Sequence, residues 1–397
     1  MTEVRGLKTE ELAAYNKLSS ICFTIPTKTE DLSPKDMTAE KLRQYRGCFA
    51  EDGTLLGGMI LLDMDCRFEG HTCRFFGVGG VVTDPAERRR GAIRQIFEAD
   101  LPRMYDEGFA LSALYPFSHE FYQKFGYELG IMRHTMKFGP GSLRKDLYRA
   151  AAIRRILPDD PDGGMKQVYD RYIADKNLGI LRTDEQWKDL RSGTPWENRK
   201  HSYVLYNDAD EPIAYWIGTM AKENGGTLLT IDDLAYVSRE GMEAVFAMLR
   251  SMNEVGTVKL VMPQDMPIRY LVADAYHVDE ENICGGMVRI VNAEQVLGML
   301  PAPAMAGCCT IEVSDDQIAA NNGRFLIAGD GETLTVSRTE KEPDLRCTVN
   351  GLSALVVSAM DFQECLDARL AELLQLNNRR FMAELFRARK QHLHNYF

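Results

Sequence analysis

The chain has 397 residues, 45% of them hydrophobic and 26% charged, and a formal net charge of -11. That length exceeds one ordinary core and points to two or three domains. The acidic balance excludes general affinity for nucleic acid, which needs basic surface, and suits cationic substrates. No stretch approaches the ~20 apolar residues of a membrane span. Met1-Thr2-Glu3-Val4-Arg5 opens no apolar leader, so a cytoplasmic protein with no membrane partner is expected. The 9 cysteines are scattered without a Cys-x-x-Cys pair, as reduced, mostly buried thiols are, and no metal is expected.

In chain order, Thr9-Glu10-Glu11-Leu12 predicts a helix start with Thr9 as its cap. Residues 46–63 read as two strands around Glu51-Asp52-Gly53-Thr54, because Asp-Gly between apolar runs signals a hairpin. Residues 73–83 form another strand, with Gly77, Gly79 and Gly80 marking a bulge or a close backbone approach. After Asp84-Pro85, the run Arg88-Arg89-Arg90-Gly91-Ala92 enters a helix whose apolar face is Ile93, Ile96, Phe97, Leu101 and Met104. Pro102 should kink it. Residues 109–115 read as a buried strand, followed by Phe121-Tyr122-Gln123-Lys124-Phe125-Gly126-Tyr127.

The same order then repeats. A hairpin turns at Asn207-Asp208-Ala209-Asp210 and a strand covers 227–237. Ser238 caps a helix that runs through Asn253, and a strand covers 258–262. The turn 237–241 lacks the arginine cluster, as a second, silent copy would. From about residue 286 a small antiparallel sheet with helices follows, turning at Asn321-Asn322-Gly323 and Gly329-Asp330-Gly331. A last helix is expected over residues 370–390. His392-x-His394 has the spacing of two metal ligands but lacks a third. Trp187 and Trp196 are read as packing in the second copy.

The arginine run carries the strongest chemistry. A helix N-terminus presents unpaired N–H groups and a positive dipole end. Glycine lets the backbone approach an anion, and arginine adds charge-assisted hydrogen bonds. Arginines there oppose the dipole unless an anion is present, so a diphosphate ligand is expected.

The spacing Arg88-x-x-Gly91-x-Ile93 resembles the pyrophosphate loop of the GNAT superfamily of N-acetyltransferases, with Ile93 where that pattern has a small residue. Phe121-Tyr122-x-x-Phe125-Gly126-Tyr127 resembles the superfamily's aromatic motif. The layout of the whole chain resembles the Eis (enhanced intracellular survival) family. The resemblance implies an α+β (mixed α/β) chain of two tandem GNAT-like units and a sterol-carrier-protein-like domain. Boundaries are expected at 1–145 for the acetyl-CoA-binding unit, 146–286 for the cofactor-silent one and 287–397 for the last. It implies cofactor contacts at Val81, Val82, Thr83, Arg88, Arg89, Arg90, Gly91, Ala92, Ile93, Arg94, Phe117 and Ser118. Tyr122 is implied as the general acid and the α-carboxylate of Phe397 as the general base.

The expected activity is direct transfer of the acetyl group of acetyl-CoA to a primary amine of a cationic, aminoglycoside-like small molecule. A backbone N–H at the splayed strand would hold the oxyanion. A lysine acetyltransferase, a non-catalytic acyl-CoA sensor and a lipid carrier are the alternatives. The resemblance also implies a homo-oligomer, with a hexamer as one form.

Overall fold

The computed structural model describes residues 2–33, 37–223, 225–263, 266–357, 360–389 and 391–395. They fall into two units, one of residues 2–131, 286–389 and 395, the other of 132–285 and 391–394.

The first unit opens with β1 (Glu3–Gly6), α1 (Leu12–Phe23), α2 (Ala39–Arg43), β2 (Tyr45–Phe49), β3 (Leu55–Phe68) and β4 (His71–Thr83). It continues with α3 (Ala92–Asp106), β5 (Leu111–Leu114) and α4 (His119–Gln123). Strands β1 to β4 pair antiparallel in sequence order, and β5 joins β4 in parallel. The β2–β3 turn is the expected one, with Gly53 at φ +84° and the Asp52 carboxylate accepting from the Thr54 N–H at 2.9 Å. Thr9 is not a helix cap. Thr9–Glu11 form a 3-10 turn ahead of α1, and the Glu11 carboxylate accepts from the Lys8 N–H at 2.7 Å. Helix α3 buries Ile93, Ile96, Phe97, Leu101 and Met104, the predicted face, in one core with Met59, Phe76 and Val78. The helix continues through Pro102 as one 15-residue element, although proline gives the Glu98 carbonyl no helical donor.

The second unit comprises the later residues of β6 (Glu128–Phe138), then β7 (Ala152–Arg155), α5 (Met165–Ile173), β8 (Gly179–Leu181) and α6 (Asp184–Leu190). It closes with β9 (Lys200–Tyr206), β10 (Pro212–Glu223), β11 (Gly226–Tyr236), α7 (Arg239–Arg250) and β12 (Thr257–Pro263). Their order is β7-β9-β10-β11-β12-β6, and only β11 and β12 pair in parallel. The Ser238 hydroxyl caps α7 by accepting from the Gly241 N–H, as its position predicts.

The last part of β13 (Val278–Ile290) belongs to the first unit again, where Met287–Ile290 pair with β5. Next come α8 (Ala293–Gly298), β14 (Ala306–Ser314), β15 (Gly323–Asp330), β16 (Leu334–Arg338) and β17 (Leu345–Thr348). They are followed by α9 (Val349–Val357), α10 (Phe362–Asp367), β18 (Ala371–Leu373) and α11 (Arg379–Leu385). The sheet order is β16-β15-β14-β17-β18. The single helix expected over 370–390 is replaced by β18 and α11. Ladder pairing of 371–373 with β17 overrides local helix propensity, and only Phe381, Met382 and Leu385 form a buried helical face.

One buried cation ties the C-terminal part of this unit to the segment after α4. The Arg289 side chain is fully buried, bonds Asp315 through both carboxylate oxygens at 2.9 and 2.7 Å, and donates to the Phe125 carbonyl at 2.6 Å. A Cβ on Gly126 would fall 1.5 Å from that guanidinium, and Gly126 has φ +82°, so glycine is required there twice over. Removing Arg289 leaves Asp315 as an uncompensated buried charge. Arg289→Ala should destabilise the first unit by about 3–5 kcal/mol, seen as a lower denaturant midpoint. Arg289→Met with Asp315→Leu should be milder than the single change.

Candidate active site

The site is built where two parallel strands stop pairing. The β4–β5 register runs Phe75–Leu111 to Val78–Leu114. Beyond Leu114 the chain turns into Tyr115 and Pro116, and proline has no N–H to extend a ladder. Strand β4 runs on to Thr83. Among the described residues its segment 79–83 therefore pairs only with β3, and the edge toward β5 has no ladder partner.

A bulge sets the direction of that segment. Gly80 and Val81 together oppose Met59 on β3, and Gly80 has φ +56°. The Tyr15 hydroxyl donates to the Gly80 carbonyl at 2.5 Å, and a Cβ at Gly80 would meet that hydroxyl at 2.3 Å. The bulge leaves the side chains of Val81 and Thr83 on a cavity of about 730 Å³ and turns Val82 into the core around Tyr15. Any contact of Val82 with a ligand is thus through its backbone.

Arg88, Arg89, Arg90, Gly91, Ala92, Ile93 and Arg94 line the same cavity, with Lys124 opposite in sequence terms and Glu87 the one acidic side chain among them. Arg89 has φ +68°, a left-handed backbone that a side chain rarely adopts, and Gly91 has φ +79° as the residue before α3. Nothing lies within 4 Å of where a Cβ on Gly91 would sit. The first-turn N–H groups of Ala92, Ile93 and Arg94 have no helical acceptor. Of the four arginines, Arg90 is paired with Glu87 at 2.6 Å. Exposed guanidinium groups, free helix N–H groups and an open glycine form a donor set with the chemistry of a diphosphate site. The Ile93 side chain points into the core below, so the larger residue is accommodated away from the loop.

The aromatic motif lies on and after α4. The Ser118 hydroxyl accepts from the Phe121 N–H at 3.4 Å, so this residue caps α4 and does not line the cavity. Phe117 does line it, 70% exposed, with Phe121 at 5.3 Å between ring centroids. The Tyr122 ring is 2% exposed and packs edge-on against Phe97, Phe117, Phe121 and Tyr127. Burial raises its phenol above the ordinary tyrosine value, so it is protonated at neutral pH. Tyr127 is held by the Ser112 hydroxyl at 2.7 Å and is structural.

Four participants had no sequence signal. Cys22 and Phe23 at the end of α1 line the cavity, and the Cys22 thiol lies 3.4 Å from the Thr83 carbonyl. The Asn350 amide donates to the carbonyls of Gln123 and Tyr127 at 3.0 and 2.9 Å and braces the aromatic motif. The Tyr115 hydroxyl, at the end of β5, donates to the Asn395 carbonyl at 2.8 Å. Phe397, the expected base, lies outside the described residues.

Three family models match the chain. Acetyltransferase (GNAT) domains match residues 3–130 and 178–290, and a sterol carrier protein domain matches 293–394. The chain is 24% identical to N-acetyltransferase Eis of Mycobacterium tuberculosis over 286 residues, 68% of each chain. A GCN5-related N-acetyltransferase from Anabaena variabilis superposes with a TM-score of 0.88 at 17% identity, covering 100% of both chains. Eis1 from Mycobacterium abscessus gives 0.82 at 19%, again over 100% of both. The fold is that of two GNAT domains followed by a sterol-carrier-like domain, and the enzyme class is acetyltransferase. The chain is thus similar to the Eis enzymes in sequence over 68% of its length and in fold over all of it. Enzymes of this superfamily take acetyl-CoA as co-substrate.

Gly80→Ala strains the bulge and collides with Tyr15. It should raise KM for acetyl-CoA at least about tenfold, the equivalent of ~1.4 kcal/mol. Adding Tyr15→Phe should recover part of the loss, because the colliding oxygen is then gone.

Proposed function

We propose that the chain acetylates a primary amine of a cationic, aminoglycoside-like small molecule by direct transfer from acetyl-CoA. The observation that carries this reading is the open edge of β4 at residues 79–83 leading into the arginine-lined start of α3. A thioester arm lying along that edge would have backbone groups to pair with, while its diphosphate meets Arg88, Arg89, Gly91 and the first turn of α3. Val81, Val82 and Thr83 take the arm, and Phe117 flanks it. A backbone N–H of the open edge stabilises the tetrahedral oxyanion.

Tyr122 is assigned as the acid that protonates departing coenzyme A. Its support is the family motif and a phenol kept protonated by burial. The amine's proton is assigned to the tail. The bond from Tyr115 places Asn395, two residues before Phe397 in the chain, at the end of β5, which supports a role for the tail there. The net charge of -11 suits a cationic acceptor. A homo-oligomeric, cytoplasmic enzyme rests on the family resemblance.

Release of coenzyme A should be measured against aminoglycosides, polyamines and lysine peptides. Turnover confined to lysine peptides would replace the small-molecule reading. Initial rates varied in both substrates should give intersecting lines; parallel lines would point to a covalent enzyme intermediate. Tyr122→Phe should lower kcat about 100-fold with KM for acetyl-CoA unchanged. An unchanged kcat would reduce Tyr122 to packing. Removal of residues 396–397 should likewise lower kcat and spare cofactor binding.

A further inference from the structure

The second unit repeats the parallel strand pair, and the chain's own tail meets that pair where it parts. The β11–β12 register runs Leu228–Thr257 to Ile231–Leu260 and then stops, although β11 continues to Tyr236. The carbonyl of Asp232, the next residue on β11, accepts from His394 Nε2 at 2.7 Å. Residues 391–394 lie at this edge. The His392 N–H donates to the Asn177 carbonyl at 2.7 Å, Gln391 bridges Asn177, and Gln391, His392 and Leu393 are 5%, 6% and 0% exposed. A segment of the chain's own tail thus reaches β11 where its pairing with β12 ends, through the His394 side chain.

Every ionisable neighbour disfavours charge on the two imidazoles or is already committed. A carbonyl oxygen only accepts, so His394 carries its proton on Nε2. Its Nδ1 is buried with no hydrogen-bond partner among the described residues, so a second proton there would gain none. Asp233, from β11, lies 3.8 Å from His394 but is held by Arg182 at 2.7 and 3.0 Å and by the Tyr215 hydroxyl at 2.6 Å. Arg133 on β6 and Arg182 oppose protonation of His394, while Asp233 and the Asp232 carbonyl favour it. Lys176, Arg182 and His394 itself oppose protonation of His392, which packs edge-on against Tyr172 of α5. Burial lowers both imidazoles below the ordinary histidine value and outweighs these favourable contacts.

We propose that the strand gap of the second unit is a slot for residues 391–394, that His392 and His394 lock the tail there in their neutral forms, and that this latch sustains the tail's part in turnover. The last clause rests on the role given to the tail above; the latch itself does not. The docked segment binds protons less readily than the released one, whose histidines titrate near 6.5. The latch is therefore fully closed above about pH 6.5 and loosens as pH falls below it. With two histidines the docking equilibrium weakens by up to about 100-fold per pH unit.

Hydrogen exchange of a tail fragment covering residues 391–395 tests the latch directly in the intact protein. After correction for chemical exchange rates, protection should fall at least about tenfold between pH 7.5 and 5.5. In His392→Phe/His394→Gln, whose glutamine can still donate to Asp232, it should change less than about twofold. Wild-type protection that does not move with pH overturns the latch, and this reading needs no variant to fold. For turnover, kcat should fall more steeply below pH 6.5 in the wild type than in the variant, with KM for acetyl-CoA alike. Superimposable profiles overturn the role in turnover. Full turnover after removal of residues 396–397 would instead remove the tail from the chemistry and leave the exchange result untouched.

Discussion

A parallel strand pair that parts before both strands end is the constraint on which the rest of the first unit depends. Inside a sheet, a backbone edge without a partner is costly unless something supplies hydrogen bonds. Here two local features hold the gap open. Pro116 prevents β5 from continuing, and the Gly80 bulge turns β4 away. Because only eight residues lie between the end of that edge and α3, the free N–H groups of the helix lie on the same cavity as the edge. The arginines add charge to a place that backbone geometry has already made anion-seeking. Their own repulsion, and the left-handed backbone at Arg89, are unfavourable when no anion is bound. Both are consistent with a loop arranged for a ligand.

The C-terminal part of the first unit has a mechanical share in that site. The aromatic motif after β5 is too short to fix itself, since α4 spans only His119–Gln123. Its carbonyls at Gln123, Phe125 and Tyr127 are held by Asn350 and Arg289. Arg289 in turn is neutralised by Asp315, whose oxygens also accept from Asn321 and the Gln317 N–H. A buried ion network of this kind fixes a geometry more than it adds stability. A sterol-carrier-like domain can thus be retained for bracing an acetyltransferase loop, whatever it binds.

The elements legible in the sequence are those with a local cause. The Asp52-Gly53 turn, the Ser238 cap, the apolar face of α3 and the arginine loop each depend on residues within one turn or one strand. Ser118 was legible only as a neighbour of the motif, and its work is to cap α4. Thr9 failed because Glu11 reaches back to the Lys8 N–H more effectively than a threonine hydroxyl one residue on. The helix expected over 370–390 failed because its first residues gain a ladder partner in β17 that lies 26 residues away in sequence. Cys22, Asn350, Tyr115 and Arg289 act across long separations, where spacing carries no information.

The two GNAT domains differ at the start of the helix that follows the parallel strand. In the second, the helix that follows the parallel strand is capped by Ser238, and Gly241 in its first turn packs so closely that a Cβ would lie 2.3 Å from the Ile213 carbonyl. One first-turn N–H of α7 is thereby taken by a side-chain oxygen, whereas α3 has no side-chain cap. The His394 side chain meets the Asp232 carbonyl where β11 and β12 part, a place that in the first unit stays open. The histidines found there do not form a metal site in this arrangement. Their rings lie nearly parallel, 6.3 Å apart at 28°, and His394 spends Nε2 on a carbonyl. Ligands must converge lone pairs on one point, and these two instead lie side by side as neutral, apolar-faced wedges.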